Sequence, residues 1–279
     1  MSSSLPAAGS RSLEAALPAL AVGACGLLAL VLALPFVGLL ARVTPGAFLR
    51  QIAAPEVREA LELSLITSLA ATAVVILLGV PTAYLLATRE FPGKRLLEVM
   101  LELPMVLPPT VAGFALLMAF GRVGLAGRAL SALGVTLPFT TLGVVLAQVF
   151  MAAPFFLAPA RAGFAGVERR LLEAAATLRA SEPQRFFRVV LPLASPALLA
   201  GTAMCAARAL GEFGATITFA GNLPGVTQTM PLAVYVALQS DLDRAVTLSV
   251  LLLLMSFGLL LGLRLAPAGW IGNRRRAGD

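Results

Sequence analysis

Arg208 and Glu212 are the residues of this chain best placed to do chemistry, because they are opposite charges four residues apart inside an apolar run, A-M-C-A-A-R-A-L-G-E-F-G-A-T. An unpaired charge at the centre of a bilayer costs roughly 2.5–3.5 kcal/mol on insertion scales, so both are expected to face protein or a water-filled path. Their i, i+4 spacing puts them on one helix face. Arg precedes Glu, the weaker order on an isolated helix, so partners on other helices are expected as well. Two readings stand: the pair fixes helix packing, or Arg208 offers positive potential to a passing anion while Glu212 keeps it from trapping the ion. Neutral groups close to neighbouring motifs, Thr110, Thr216, Thr218, Thr227 and Gln228, would add weak donors to such a path. Weak donors suit conduction, since an ion held strongly does not leave.

Other chemistries find no residues. There is no His, and both Cys, Cys25 and Cys205, lie in apolar runs, so neither a disulfide framework nor a Cys/His metal site is supported. No metal or cofactor is expected in this chain. A glycine loop ending in G-K-[ST] is absent too, so no nucleotide site of the usual kind is expected, and no residue is singled out as catalytic.

The elements that carry these residues are membrane spans. The chain is 59% hydrophobic and 13% charged, against roughly 45–50% and about 25% in soluble proteins, and its mean hydropathy is +0.92. A net charge of +7 raises nucleic acid as a partner, but the basic residues gather in some loops and avoid others, which is a topology signal, and no nucleic acid is expected. Six stretches reach the roughly 20 apolar residues a span needs: 17–40, 61–87, 96–120, 140–159, 196–219 and 244–265. The fold class is therefore all-α integral membrane, with residues 17–265 as the membrane domain between an N-terminal tail, 1–16, and a basic tail, 266–279. Residues 44–54 suit a short interfacial helix. Val22-Gly23-Ala24-Cys25 loosely resembles a lipoprotein cleavage box, but the apolar run continues to Leu40, and a retained span is expected. The third span contains L-P-M-V-L-P-P-T-V, whose Pro104, Pro108 and Pro109 remove backbone donors, so it is expected to be broken or kinked. That run either only shapes a kink or also lines a pore. Gly211 and Gly214 either allow close helix packing or belong to the path. Gly258 and Gly262 fit a generic packing face. Residues 220–243 read as a polar loop containing G-N-L-P-G-V-T-Q-T-M-P, in which Asn222 and Pro224 are turn residues or part of a functional outer loop. With the N-terminus in the cytoplasm, fourteen Lys and Arg fall inside and six outside, which puts both termini and residues 161–195 in the cytoplasm.

Within that cytoplasmic segment, 167–196 reads as two short amphipathic helices with a break. Leu171, Leu172, Ala175 and Leu178 recur at helical spacing opposite Glu168, Arg169 and Arg170. Ser181-Glu-Pro-Gln184 is a capping-box sequence that starts the second helix, and Pro192 is expected to end it. Glu173-Ala174-Ala175, followed by Phe186, Val189, Leu191, Pro192 and Pro196, resembles the EAA loop of permease subunits of ATP-binding-cassette importers. The family's glycine falls on Arg179, and an Arg with positive φ would cost on the order of 1 kcal/mol or force a different turn. The resemblance implies that this coupling loop, Ser181 included, docks in a groove of an ATPase subunit.

Further motifs, F-P-G-K-R-L-L-E, E-L-P-M-V-L-P-P-T-V-A-G, A-R-A-L-G-E-F-G-A-T and A-G-N-L-P-G-V-T-Q-T-M-P-L-A-V-Y, resemble the molybdate/tungstate permease group, close to sulfate/thiosulfate permeases. Membership implies a non-enzymatic homodimeric subunit in the cytoplasmic membrane of a prokaryote, two ATPase subunits, an external oxyanion-binding protein, and inward movement of molybdate or tungstate by alternating access. The alternatives are sulfate or thiosulfate as cargo or, in a different class, a secondary anion carrier or membrane scaffold. No internal repeat of the kind common in secondary carriers is found.

Overall fold

The structure, a computed structural model, describes residues 8–275, and no strand occurs among them. The helices are α1 (Ala8–Leu40), α2 (Pro45–Ala53), α3 (Pro55–Thr88), α4 (Lys94–Val106), α5 (Pro109–Phe120), α6 (Gly127–Ala132) and α7 (Thr141–Ala165). They continue with α8 (Arg169–Thr177), α9 (Glu182–Arg185), a π turn (Phe186–Val190), α10 (Leu191–Leu210), α11 (Gly214–Phe219), α12 (Met230–Ser240) and α13 (Leu242–Arg275). Five stretches are long and apolar enough to cross a membrane: Leu20–Leu40, Pro55–Thr88, Thr141–Ala165, Glu182–Leu210 and Leu242–Leu263. The proline-rich candidate is the sixth, and it is broken. Leu107 and Pro108 are extended between α4 and α5, because two successive prolines lack N–H donors and each disfavours helical backbone in the residue before it.

The centre is a three-helix pack of α3, α7 and α10. Phe156 of α7 fills the space between two glycines: a Cβ on Gly79 of α3 would lie 2.7 Å from its ring, and one on Gly201 of α10 would lie 3.1 Å from its carbonyl oxygen. Alanines dominate the surrounding core, with Ala71, Ala83, Ala152, Ala160, Ala194 and Ala209 all buried. Such a core derives its stability from close backbone approach rather than from bulky side chains, as helix pairs in lipid do. A second cluster joins the start of α3 to α12 and α13 through Val57, Ala60, Met230 and Leu248, and a third joins α5, α7 and α11 through Ala112, Leu116, Met151 and Phe219.

Three sequence expectations are corrected. The span expected over 196–219 ends at Leu210, where Gly211 to Phe213 break the helix, and the remainder is the short α11. The polar loop expected over 220–243 contains the eleven-residue helix α12, which has Pro231 in its first turn, where a missing N–H costs nothing. Pro192 does not end a helix. The preceding turn widens so that the Leu191 N–H donates to the Phe186 carbonyl, and the proline is absorbed as the chain continues into α10. Helix α1 begins at Ala8, ahead of the apolar stretch, and residues 1–7 and 276–279 of the expected tails lie outside the described residues.

Candidate functional site

The coupling-type segment begins with α8, whose Glu173 pairs with Arg169 at 3.2 Å on an exposed surface. Ala174 is exposed and Ala175 half-buried beside it. The helix ends in a Schellman motif: the Ala180 N–H donates to the Ala175 carbonyl and the Arg179 N–H to the Ala176 carbonyl. Arg179 occupies the left-handed position with φ +58°, so the turn normally served by glycine is kept at the cost of strain. Ser181 and Gln184 form the full capping box, with the Ser181 N–H donating to Gln184 Oε1 at 2.9 Å and the Gln184 N–H to Ser181 Oγ at 3.4 Å.

The same segment is moored to the spans by aromatic rings. Phe186 lies 4.9 Å from Tyr84 of α3, and Tyr84 lies 5.5 Å from Phe164 of α7, both pairs edge-on. Val190 is buried, whereas Val189, Leu191 and Pro192 are half-buried at the entry to α10. Arg89, just beyond α3, approaches Glu182 at 3.8 Å, so the 89–93 connector and the coupling-type segment share one end of the bundle. Leu178 (83% exposed), Phe187 and Leu171 are exposed at that end. Large apolar side chains are thus exposed among charged ones at this end.

The second constellation lies where α10 breaks. Arg208 Nη1 is 2.6 Å from Glu212 Oε2, a close ion pair without the alignment of a hydrogen bond, and the guanidinium stands 5.9 Å from the Phe155 ring of α7. Glu212 is 1% exposed and Arg208 22%. The expectation that the two share a helix face is corrected: Glu212 lies past the end of α10, and its Oε1 accepts the Ala215 N–H at 2.7 Å, capping α11. The partners expected on other elements are therefore Phe155 and the first turn of α11.

Around this cap α5 and α11 are in backbone contact. A Cβ on Gly214 would lie 2.6 Å from Pro109, and one on Gly113 would lie 2.7 Å from the Ala215 oxygen and 2.8 Å from Thr218. Thus Arg208, Glu212, Gly214, Thr216 and Thr218 are drawn together with Pro109 and the exposed Thr110. Thr218 Oγ1 donates to the Gly214 carbonyl, while the buried Thr216 hydroxyl has no protein partner. Pro108 and Gly211 sit at the two breaks, and nothing but its own helix crowds Gly211.

The remaining candidates are elsewhere. Pro104 is buried in α4, which is held to α7 by Arg161 reaching Glu98 at 2.9 Å and Glu102 at 3.8 Å. Asn222, Thr227 and Gln228 belong to the turn before α12. There Thr227 Oγ1 accepts the Leu223 N–H, the Gln228 N–H donates to the Leu223 carbonyl, and Thr141 Oγ1 ties the turn to α7 through the Val226 carbonyl. Sequence reasoning passed over Ser64, which accepts the first N–H of α12 from Met230 at 2.7 Å, and the buried Thr67, Ser68 and Thr72 that follow it. Their 64, 68, 72 spacing was the available signal. Gln148 of α7, 1% exposed with an unpartnered oxygen, was missed as well, and its apolar surroundings gave no cue.

Comparison with known proteins adds the context. Residues 76–265 match the family model described as binding-protein-dependent transport system inner membrane component. A molybdenum transport system permease protein, ModB, of Mycobacterium bovis is 44% identical over 232 residues, covering 82% of this chain and 87% of its own. A probable sulfate transport system permease protein, cysT, of Chlorokybus atmophyticus is 33% identical over 237 residues, covering 84% and 83%. A bacterial alginate ABC transporter, solved in complex with an alginate pentasaccharide-bound periplasmic protein, contains a chain that superposes with a TM-score of 0.73 at 14% identity, covering 93% of this chain and 96% of that one, a likeness of fold.

Proposed function

The chain belongs to the family of binding-protein-dependent transport system inner membrane components, and on that premise we propose that it is the permease subunit of an ATP-driven importer of molybdate or tungstate. The observation that carries the cargo assignment is the 44% identity to a molybdenum permease across most of both chains, against 33% to a sulfate permease. In this reading two copies form the conducting unit, and two ATPase subunits bind at the end bearing Leu178 and Phe187. An external binding protein delivers the oxyanion at the opposite end. Both termini lie in the cytoplasm.

The coupling route follows from the mooring. A push on α8 and α9 reaches α3 and α7 through Phe186, Tyr84 and Phe164, and reaches α10 directly, because α9, the π turn and α10 are continuous. At the far end of α10 stands the Arg208–Glu212 pair, which presents one partly exposed positive charge with its countercharge fixed behind it. That arrangement attracts a dianion without holding it, as conduction requires.

The test is complementation. A bacterium lacking its own molybdate permease, given this chain with its ATPase and binding protein, should regain growth that depends on micromolar molybdate. Rescue by the same set at millimolar sulfate only, in a sulfate-permease mutant, would move the assignment to sulfate.

A further inference from the structure

At the end of the bundle opposite the coupling-type segment, α2, the first turn of α3 and the junction of α12 with α13 surround an open cavity of about 500 Å³. Five charged side chains line it: Arg50, Arg244, Glu56, Asp241 and Asp243. Among the described residues, no two of them form an ion pair. Arg50 donates through Nε to the Gly46 carbonyl at 3.2 Å, which leaves both of its Nη groups for another partner. Asp241 accepts the Arg244 backbone N–H at 3.0 Å and so caps α13, whereas Asp243 and Glu56 make no side-chain hydrogen bond among the described residues. Opposite charges thus line one space without pairing across it. An occupant bearing both an anionic and a cationic group would satisfy them together.

The surroundings indicate where that occupant comes from. Helix α2 is amphipathic: Phe48 packs on the cluster of Val57, Ala60 and Leu248, while Leu49 and Ile52 are exposed. The apolar stretch of α1 buries nothing, and α13 exposes Leu254, Phe257 and Leu261. The lining includes Thr247, within the apolar stretch Leu242–Leu263 of α13, so the cavity lies at the end of a stretch long and apolar enough to cross a membrane. A docking protein would meet a polar rim, but here the flanks are surfaces for acyl chains.

We propose that this cavity binds the headgroup of a zwitterionic phospholipid carrying a primary ammonium, of the phosphoethanolamine type. Its phosphate faces Arg50 and Arg244, its ammonium faces Glu56 and Asp243, and its chains lie along α1 and α13. A purely anionic headgroup would set its charge against three carboxylates. A choline headgroup has no N–H to donate to them.

The full chain is incorporated in nanodiscs of equal phosphatidylethanolamine and phosphatidylglycerol, released into mild detergent and weighed by native mass spectrometry for retained lipid. Phosphatidylethanolamine should be retained about five-fold over phosphatidylglycerol, the factor that one partly exposed ion pair supports. Arg50→Gln with Arg244→Gln should lower its retention by at least that factor. Glu56→Gln with Asp243→Asn should instead raise phosphatidylglycerol retention above that of the unsubstituted chain, a gain that loss of folding does not produce. Equal retention by the unsubstituted chain, preference for phosphatidylglycerol, or a fall in phosphatidylglycerol retention in the carboxylate variant would overturn the proposal. So would displacement of the lipid by soluble phosphoethanolamine at equal concentration, or cross-linking from Gln51 to the binding protein rather than to lipid.

Discussion

Replacing Glu212 by Gln and by Ala separates the two roles the structure gives its carboxylate. One oxygen meets Arg208 at 2.6 Å and the other accepts the Ala215 N–H at 2.7 Å, in a side chain that is 1% exposed. Breaking a buried pair typically costs about 3–5 kcal/mol. Arg208 is 22% exposed and can turn toward water, so Glu212→Gln, which keeps a carbonyl oxygen for Ala215, should cost about 2–3 kcal/mol. Glu212→Ala loses the cap as well, a further loss of about 1–2 kcal/mol. At about 2–4 °C per kcal/mol for chains of this size, Gln should lower the unfolding midpoint by roughly 4–12 °C and Ala by several degrees more. Cys205 supplies the assay: it is buried while Cys25 is exposed, so in a Cys25→Ser background the reaction of a maleimide dye during heating reports unfolding at one thiol. Equal midpoints for Gln and Ala would remove the capping role. A shift below about 1 °C for both would show that the pair does not hold the break between α10 and α11. Exchanging the two charges is the poorer experiment, since an Arg at position 212 has no acceptor to offer Ala215.

Arg179→Gly should raise the midpoint by roughly 2–4 °C, because the left-handed turn at φ +58° then carries no Cβ strain; a fall would mean that the Arg side chain holds the turn. Gly113→Ala should cost about 1–3 kcal/mol in the same assay, its Cβ meeting the Ala215 backbone at 2.7 Å, whereas Gly258→Ala, with nothing within 4 Å in the single chain, should be neutral or stabilising. Tyr84→Ala removes two edge-on contacts from the mooring and should speed trypsin cleavage after Arg179 without dissociating α3 from α7; unchanged cleavage would detach the aromatic cluster from the coupling route. Glu173→Lys should weaken co-purification of the ATPase or uncouple ATP hydrolysis from uptake, and unchanged assembly with unchanged transport would exclude this face of α8 as the contact.

What the sequence disclosed and what it hid have separate physical causes. The break after Leu107 was legible because proline chemistry is local: two successive prolines push both preceding residues out of helical backbone, whereas the separated Pro154 and Pro159 leave α7 unbroken. The Ser181–Gln184 cap was legible for the same reason. The break at Gly211 was not, because A-R-A-L-G-E-F-G-A-T keeps an apolar period through it, and only the seating of Glu212 under α11 and of Gly214 on Pro109 makes two helices better than one. Pro192 misled in the opposite direction, since the widened turn ahead of it lets a helix pass through a residue that usually stops one. Helix α12 was hidden by its length, as its eleven residues are too few to cross a bilayer, although Pro231 at its start was a usable signal. The path candidates came from motif and residue type. Motif alone did not tell that Thr227 is occupied in its own turn while Thr216 keeps an unpartnered hydroxyl.

Vesicle uptake with purified components measures ATP-driven oxyanion import through this chain. The permease is reconstituted with its ATPase, ATP is enclosed at the cytoplasmic face, the binding protein is added to the medium at the external face, and labelled molybdate, tungstate and sulfate are compared with and without the enclosed ATP. Molybdate and tungstate should accumulate in an ATP-dependent manner at concentrations far below those needed for sulfate, and accumulation should be lost with continued ATP hydrolysis when Glu173→Lys uncouples the two. Accumulation that persists without ATP, or that favours sulfate even with a molybdate-selective binding protein, would contradict it.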